Sequence, residues 1–108
     1  MSKLISKSEI EEFNKDGAIF LKNKFDIKWI EKLKKGIEYD IKNPSPRFKS
    51  HTIKSNVPSY LEDYWTWDIV PEFKDFVYKS PYAEIASELM SAKKINLVMD
   101  NWFLREAG

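Results

Sequence analysis

An α+β domain is the fold class this sequence predicts, and three observations point to it. Helix start signals or helical apolar spacing mark residues 6–16, 26–42, 71–79 and 80–90. The last sixteen residues, KKINLVMDNWFLREAG from Lys93 to Gly108, instead mix β-branched, aromatic and long apolar side chains over 95–104, which favours an extended chain. Aromatic residues make up 15% of the chain, enough large apolar surface for a core. A strand needs neighbours, because an edge leaves its N–H and C=O groups unpaired. Few other segments here supply them, so the expectation is the front portion of a longer domain, with its chemical machinery beyond Gly108.

Ser6 and Glu9 have the spacing of a capping box, with Ile5 and Ile10 where a hydrophobic staple places them. Ile10 and Phe13 form a short apolar stripe, and Gly17 supplies the left-handed residue that ends this first helix. Residues 18–21, AIFL, read as a short buried strand because the run is too brief for a helix, and are expected beside strand 95–104 in one sheet. Asp26 is a good N-cap for a second helix. Ile30, Leu33, Ile37 and Ile41 fall on one face of it, with Trp29 beside them, and Asn43-Pro44 stops it. Residues 44–63 hold three prolines and four serines without a period, which predicts a long mobile surface loop. Residues 64–69, YWTWDI, read as extended. Pro71 opens a short helix with Phe73, Phe76 and Val77 inward. Ser80-Pro81 opens another, capped by Ser80, whose buried face is Ile85, Ala86, Leu89 and Met90. No internal repeat, low-complexity tract or domain boundary interrupts the chain.

Composition narrows the classes of function. A length of 108 residues is about one small domain. The net charge of +1 leaves no electrostatic footprint for nucleic acid. Without cysteine, disulfides and thiolate metal sites are excluded. No apolar run approaches the roughly 20 residues that cross a bilayer, and the N-terminus has no secretory core. A cytoplasmic location with no membrane partner is the expectation.

Candidate chemistry is sparse. His51 is the only histidine, with no carboxylate beside it in sequence, and reads as a surface loop residue rather than a metal ligand. Three glycines cannot build a phosphate-cradling loop. The lysines of residues 22–54 are interleaved with acids and read as a solvated face. Tyr60, Tyr64, Trp65 and Trp67 suit either a pocket for an acyl or ring substrate or, preferably, core packing. On a strand, Asn101 and Arg105 share a face with Phe103, whereas Asp100, Trp102 and Leu104 take the other. Arg105 there either holds a carboxylate through its planar fork or is a solvated strand end. Taken alone, these residues give an α+β fragment and no reaction.

The order of motifs adds to this. SKSEIEEFNKDGAIFLKNKFDIKWIEKLKKGI resembles the start of the phytanoyl-CoA dioxygenase family: a capped helix rich in Glu and Phe, then Asp-Gly, a short strand and a second helix. The likeness continues through YWTWDIVPEFKDFVYKSPYAEIASELMSAKKINLVMDNWFLREAG, with its Trp before Pro-Glu-Phe, its Ser-Pro helix and its strand ending at Arg105 to Gly108. Only residues 44–63 lack a counterpart. The resemblance implies the N-terminal helices and first strands of a double-stranded β-helix, a cupin-like jelly roll. It implies an Fe(II) and 2-oxoglutarate-dependent oxygenase acting on a small organic substrate, in which 2-oxoglutarate leaves as succinate and carbon dioxide. The family's His-x-Asp and distant His, which bind iron, would follow Gly108, so residues 1–108 are expected to bind no cofactor and to be inactive alone. Two cofactor-pocket positions carry over: Asn101, where the family often has an amide, and Arg105, where it usually has Lys. Self-association through the uncovered final strand is also expected. The alternative is a non-enzymatic α+β domain that binds a protein partner through that strand.

Overall fold

The computed structural model describes residues 3–51 and 59–106, and bears out the α+β class. Its elements run α1 (Lys7–Asp16), α2 (Ile27–Lys42), β1 (Lys49–Ser50), β2 (Tyr60–Tyr64), α3 (Pro71–Lys79), α4 (Tyr82–Leu89) and β3 (Asn101–Arg105). The helices begin where local chemistry directs. Ser6 Oγ accepts the Glu9 N–H at 3.1 Å, and Glu9 Oε1 accepts the Ser6 N–H at 2.8 Å, completing the capping box of α1. Gly17 ends α1 at φ 77°, a left-handed backbone that favours glycine. Asp26 Oδ1 accepts the Lys28 N–H at 2.9 Å and caps α2. Ser80 joins two helices, its hydroxyl donating to the Phe76 carbonyl at 2.5 Å and accepting the Tyr82 N–H at 3.2 Å, but the N-cap of α4 is Pro81 rather than the expected Ser80.

The buried face of α2 is rotated from the expected one. Ile30 and Ile41 are exposed, whereas Gly36 and Asp40 are buried beside half-buried Leu33 and Ile37. Gly36 explains the rotation. A Cβ there would stand 2.5 Å from Phe73 Cε1, so only glycine lets α2 approach α3 this closely. On α4, Ile85 is buried, but Met90 is 62% exposed and leaves the expected face.

The sheet has the order β1-β2-β3 and is antiparallel throughout. Lys49 pairs with Glu62, and β3 runs from Asn101 opposite Tyr64 to Arg105 opposite Tyr60. Several expectations are corrected here. Residues 18–21 form no strand, and Phe20 is 80% exposed: the run has apolar length but pairs with no strand among the described residues. The neighbour of β3 is therefore β2. The extended ladder of the final segment covers Asn101–Arg105 rather than 95–104. Residues 44–63 are not loop throughout, since β1 and most of β2 lie within them; the part of that expectation on 52–58 lies outside the described residues.

Residues 65–70 turn instead of extending. Asp100 organises that corner. Its carbonyl accepts the Trp65 N–H, and its carboxylate accepts Thr66 N–H, Thr66 Oγ–H and Trp67 N–H. Trp65 is held at φ 57°, an uncommon backbone for a bulky residue. Arg47 braces it by donating to the Tyr64 and Trp65 carbonyls at 2.9 and 2.8 Å. The chain then enters the core through Val70, which clusters with Phe73 and Trp102. Leu33 and Ile37 from α2 and Leu61 and Leu104 from the sheet close around them. At the far end, the Glu88 carboxylate accepts the Leu4 and Ile5 N–H groups and ties the start of α1 to α4. Ile5 is buried there. Among the described residues no helix is long and apolar enough to cross a membrane.

Candidate functional site

The register sorts the sheet into two faces. Side chains alternate along a strand and directly opposed residues share a side. Leu61, Asp63, Trp102 and Leu104 therefore point toward the helices. Tyr60, Glu62, Tyr64, Asn101, Phe103 and Arg105 point away from them. The same register puts Lys49 and, opposite Tyr60, His51 on this second face. Phe103 is 56% exposed and Asn101 and Arg105 are exposed, which makes this face open. The expected grouping of Asn101, Phe103 and Arg105 on one side of β3 is thus observed.

An aromatic row runs on the open face from His51, just after β1, across β2 to β3. The His51 and Tyr60 rings meet edge-on at 5.2 Å, and Tyr60 and Phe103 lie 6.3 Å apart. His51 Nε2 stands 3.6 Å from Glu62 Oε2. This pair is missed in a linear reading, because the carboxylate arrives across the hairpin rather than beside the histidine. Arg47 lies over the Tyr64 ring at 5.6 Å. With Lys49, Arg105 and the Asn101 amide, the face presents aromatic surface edged by cations and hydrogen-bond donors. That chemistry suits a flat or anionic group. Among the described residues it contains no nucleophile activated by a neighbouring base.

The other aromatic candidates do not gather with this row. Trp65 is exposed at its corner, and Trp67 turns inward against Tyr78, with ring centroids 6.0 Å apart. Trp67 instead lines an apolar groove of about 360 Å³ between the helices and the chain leading into β3, with Leu33, Phe73, Met99 and Trp102. Among the described residues no group of three or more His, Cys, Asp or Glu side chains stands ready to hold a metal ion. His51 and Glu62 alone do not complete a facial set of two histidines and a carboxylate, so the residues described do not fit an iron centre.

A second cluster lies on the covered face and was not legible in advance. Asp40, near the end of α2, and Asp63, in β2, are each 0% exposed. Ser45 Oγ donates to Asp63 at 2.5 Å, and the Ser45 and Tyr64 N–H groups donate at 3.2 and 2.8 Å. Trp102 Nε1 donates to Asp40 Oδ2 at 3.2 Å. Burial, then the adjacent Asp63, push the Asp40 carboxyl up to about 7. Burial also works to raise Asp63, but hydrogen bonds from Asp40, Ser45 and Tyr64 outweigh it and hold Asp63 below the usual carboxylate range.

No family model, no curated protein and no solved structure matches this chain.

Proposed function

We propose that residues 1–108 form the N-terminal part of an Fe(II) and 2-oxoglutarate-dependent oxygenase resembling the phytanoyl-CoA dioxygenase family, acting on a small organic substrate. One observation carries this reading: helices cover one face of the sheet, while Asn101 and Arg105 flank an exposed phenylalanine on the other. A two-layered jelly roll has this organisation, with helices outside its larger sheet and a ligand-facing interior. Arg105 brings a permanently charged planar fork suited to a carboxylate, and Asn101 brings an amide donor. The residues described do not fit iron, and no step through a metal is derived from them. Sequencing the transcript beyond codon 108 tests the proposal. An in-frame His-x-Asp soon after Gly108 supports it, and a stop codon directly after Gly108 overturns it.

A second reading is favoured by the edge of β3. The Trp65 N–H to Asp100 carbonyl and Glu106 N–H to Ser59 carbonyl bonds bracket the ladder with β2. Antiparallel bonds alternate. Trp102 and Leu104 therefore direct their backbone groups to β2, and Asn101, Phe103 and Arg105 direct theirs to the outer edge. Among the described residues no strand lies there. In this reading the chain is a non-enzymatic module that adds a partner protein's strand to β3.

A further inference from the structure

We propose that Asp40 and Asp63 share one proton, and that this buried acid pair is a pH-sensitive latch fastening the end of α2 to the sheet. Geometry carries the proposal. Both carboxyl groups are fully buried. Asp40 Oδ2 accepts the Trp102 indole N–H, yet Asp40 Oδ1 finds no N–H or O–H donor. An ionised, buried oxygen without a donor is strongly unfavourable. Asp63 is the remaining group within hydrogen-bonding reach, and it is already committed as an acceptor of three donors. A proton on Asp40 aimed at Asp63 resolves both problems: Asp40 becomes a donor, and two buried negative charges become one.

The surroundings leave the proton as the compensating charge. From β2 the facing group is Asp63 itself. From the segment before β3 it is Asp100, whose charge disfavours a second anion nearby. The corner after α2 contributes Ser45, a neutral donor, and Arg47, whose guanidinium is engaged by the Tyr64 and Trp65 carbonyls. Among the described residues no lysine or arginine pairs with either acid.

The latch joins four pieces of the chain: α2 through Asp40, the corner through Ser45, β2 through Asp63 and β3 through Trp102. Its sign follows from where the proton resides. The folded chain keeps a proton on Asp40 that the unfolded chain releases in the ordinary carboxylate range. Stability from this group is therefore full in acid and is lost as pH rises through about 7. Asp63 acts oppositely, contributing above the ordinary carboxylate range and losing that contribution as pH falls through its lowered value. The pair is tightest between the two, in weak acid. Above neutrality the second charge weakens the hold of α2 on the sheet. Ile37 and Trp102 also line the apolar groove, so release loosens that groove.

Carboxyl ¹³C resonances of the intact chain, followed from about pH 4 to 9, test this directly, with thermal melting measured in parallel. One aspartate carbon should titrate near neutrality together with the Trp102 indole N–H resonance. The melting temperature should fall by about 5–10 °C between about pH 5 and 8.5. Asp40→Asn, which keeps an acceptor for Trp102 and gives Asp63 a permanent donor, should remove most of that fall. His51→Gln, which breaks the His51–Glu62 pair, should keep it. If Asp40→Asn does not fold, the ¹³C titration of the native chain decides alone. The proposal fails if no aspartate carbon titrates above pH 6, or if Asp40→Asn melts with the native pH slope.

Discussion

Trp102 and Phe103 are neighbours on one strand, yet the first is 8% exposed and the second 56%. The difference belongs to the two faces of the sheet rather than to the residues. On the helix side, Trp102 packs with Val70 and Phe73, and its indole N–H finds Asp40. On the other side, Phe103 stands opposite Glu62 with its ring 6.3 Å from Tyr60, and more than half of it is exposed. Among the described residues helices cover one face of the sheet and leave the other open, and the open face is where Asn101 and Arg105 lie. The covered face holds the fold together and carries the proton-dependent latch.

The sharpest way to break the comparison is to place the same charge on each face. Trp102→Lys should abolish cooperative melting. Removing a buried large aromatic costs about 3–5 kcal/mol before any buried charge is counted, against a typical domain stability of about 5–15 kcal/mol. Phe103→Lys should shift the unfolding midpoint by no more than about 0.5 kcal/mol. Equal effects from the two substitutions would show that the faces are not distinct. Next in size is Gly36→Ala. The added methyl meets the Phe73 ring, so about 1–3 kcal/mol should be lost in urea unfolding despite alanine's better helix propensity. A neutral or stabilising result would mean that α2 and α3 part without penalty. The smallest change is Ser6→Ala, which removes the capping box of a helix with no buried residue. It should cost about 1 kcal/mol, read as faster hydrogen exchange confined to α1.

Local signals made the helices legible. Ser6 with Glu9, Asp26, Gly17 and Pro71 each act on backbone groups within one turn, so their meaning survives without tertiary context. The sheet was less legible because pairing is not local. The partner of β3 sat in a proline- and serine-rich stretch on the far side of two helices, whereas AIFL at 18–21 had strand-like composition but pairs with no strand among the described residues. The helical face of α2 was misplaced because Gly36 has no side chain to signal burial, and Asp40 is not an apolar residue. The spacing Leu33, Ile37, Asp40 did carry the clue: an acid at a core position of a helix needs a partner. Its partner, Asp63, lies 23 residues away on another element and could not be identified from spacing. Asn101, Phe103 and Arg105 were placed together because strand alternation alone decides it.

That the face bearing Phe103 is open is tested most directly by light scattering over a dilution series of the intact chain. Exposed apolar surface beside a strand edge that no described strand pairs favours pairing with a second copy. The apparent mass of the native chain should rise with concentration into the high micromolar range. Phe103→Lys should stay monomeric under the same conditions, while folded by circular dichroism. Trp102 is unsuitable for this comparison, since it is buried. A native chain that remains strictly monomeric at high micromolar concentration and melts cooperatively above about 60 °C, the upper part of the ordinary mesophile range, would contradict the account: the open face would then need no cover.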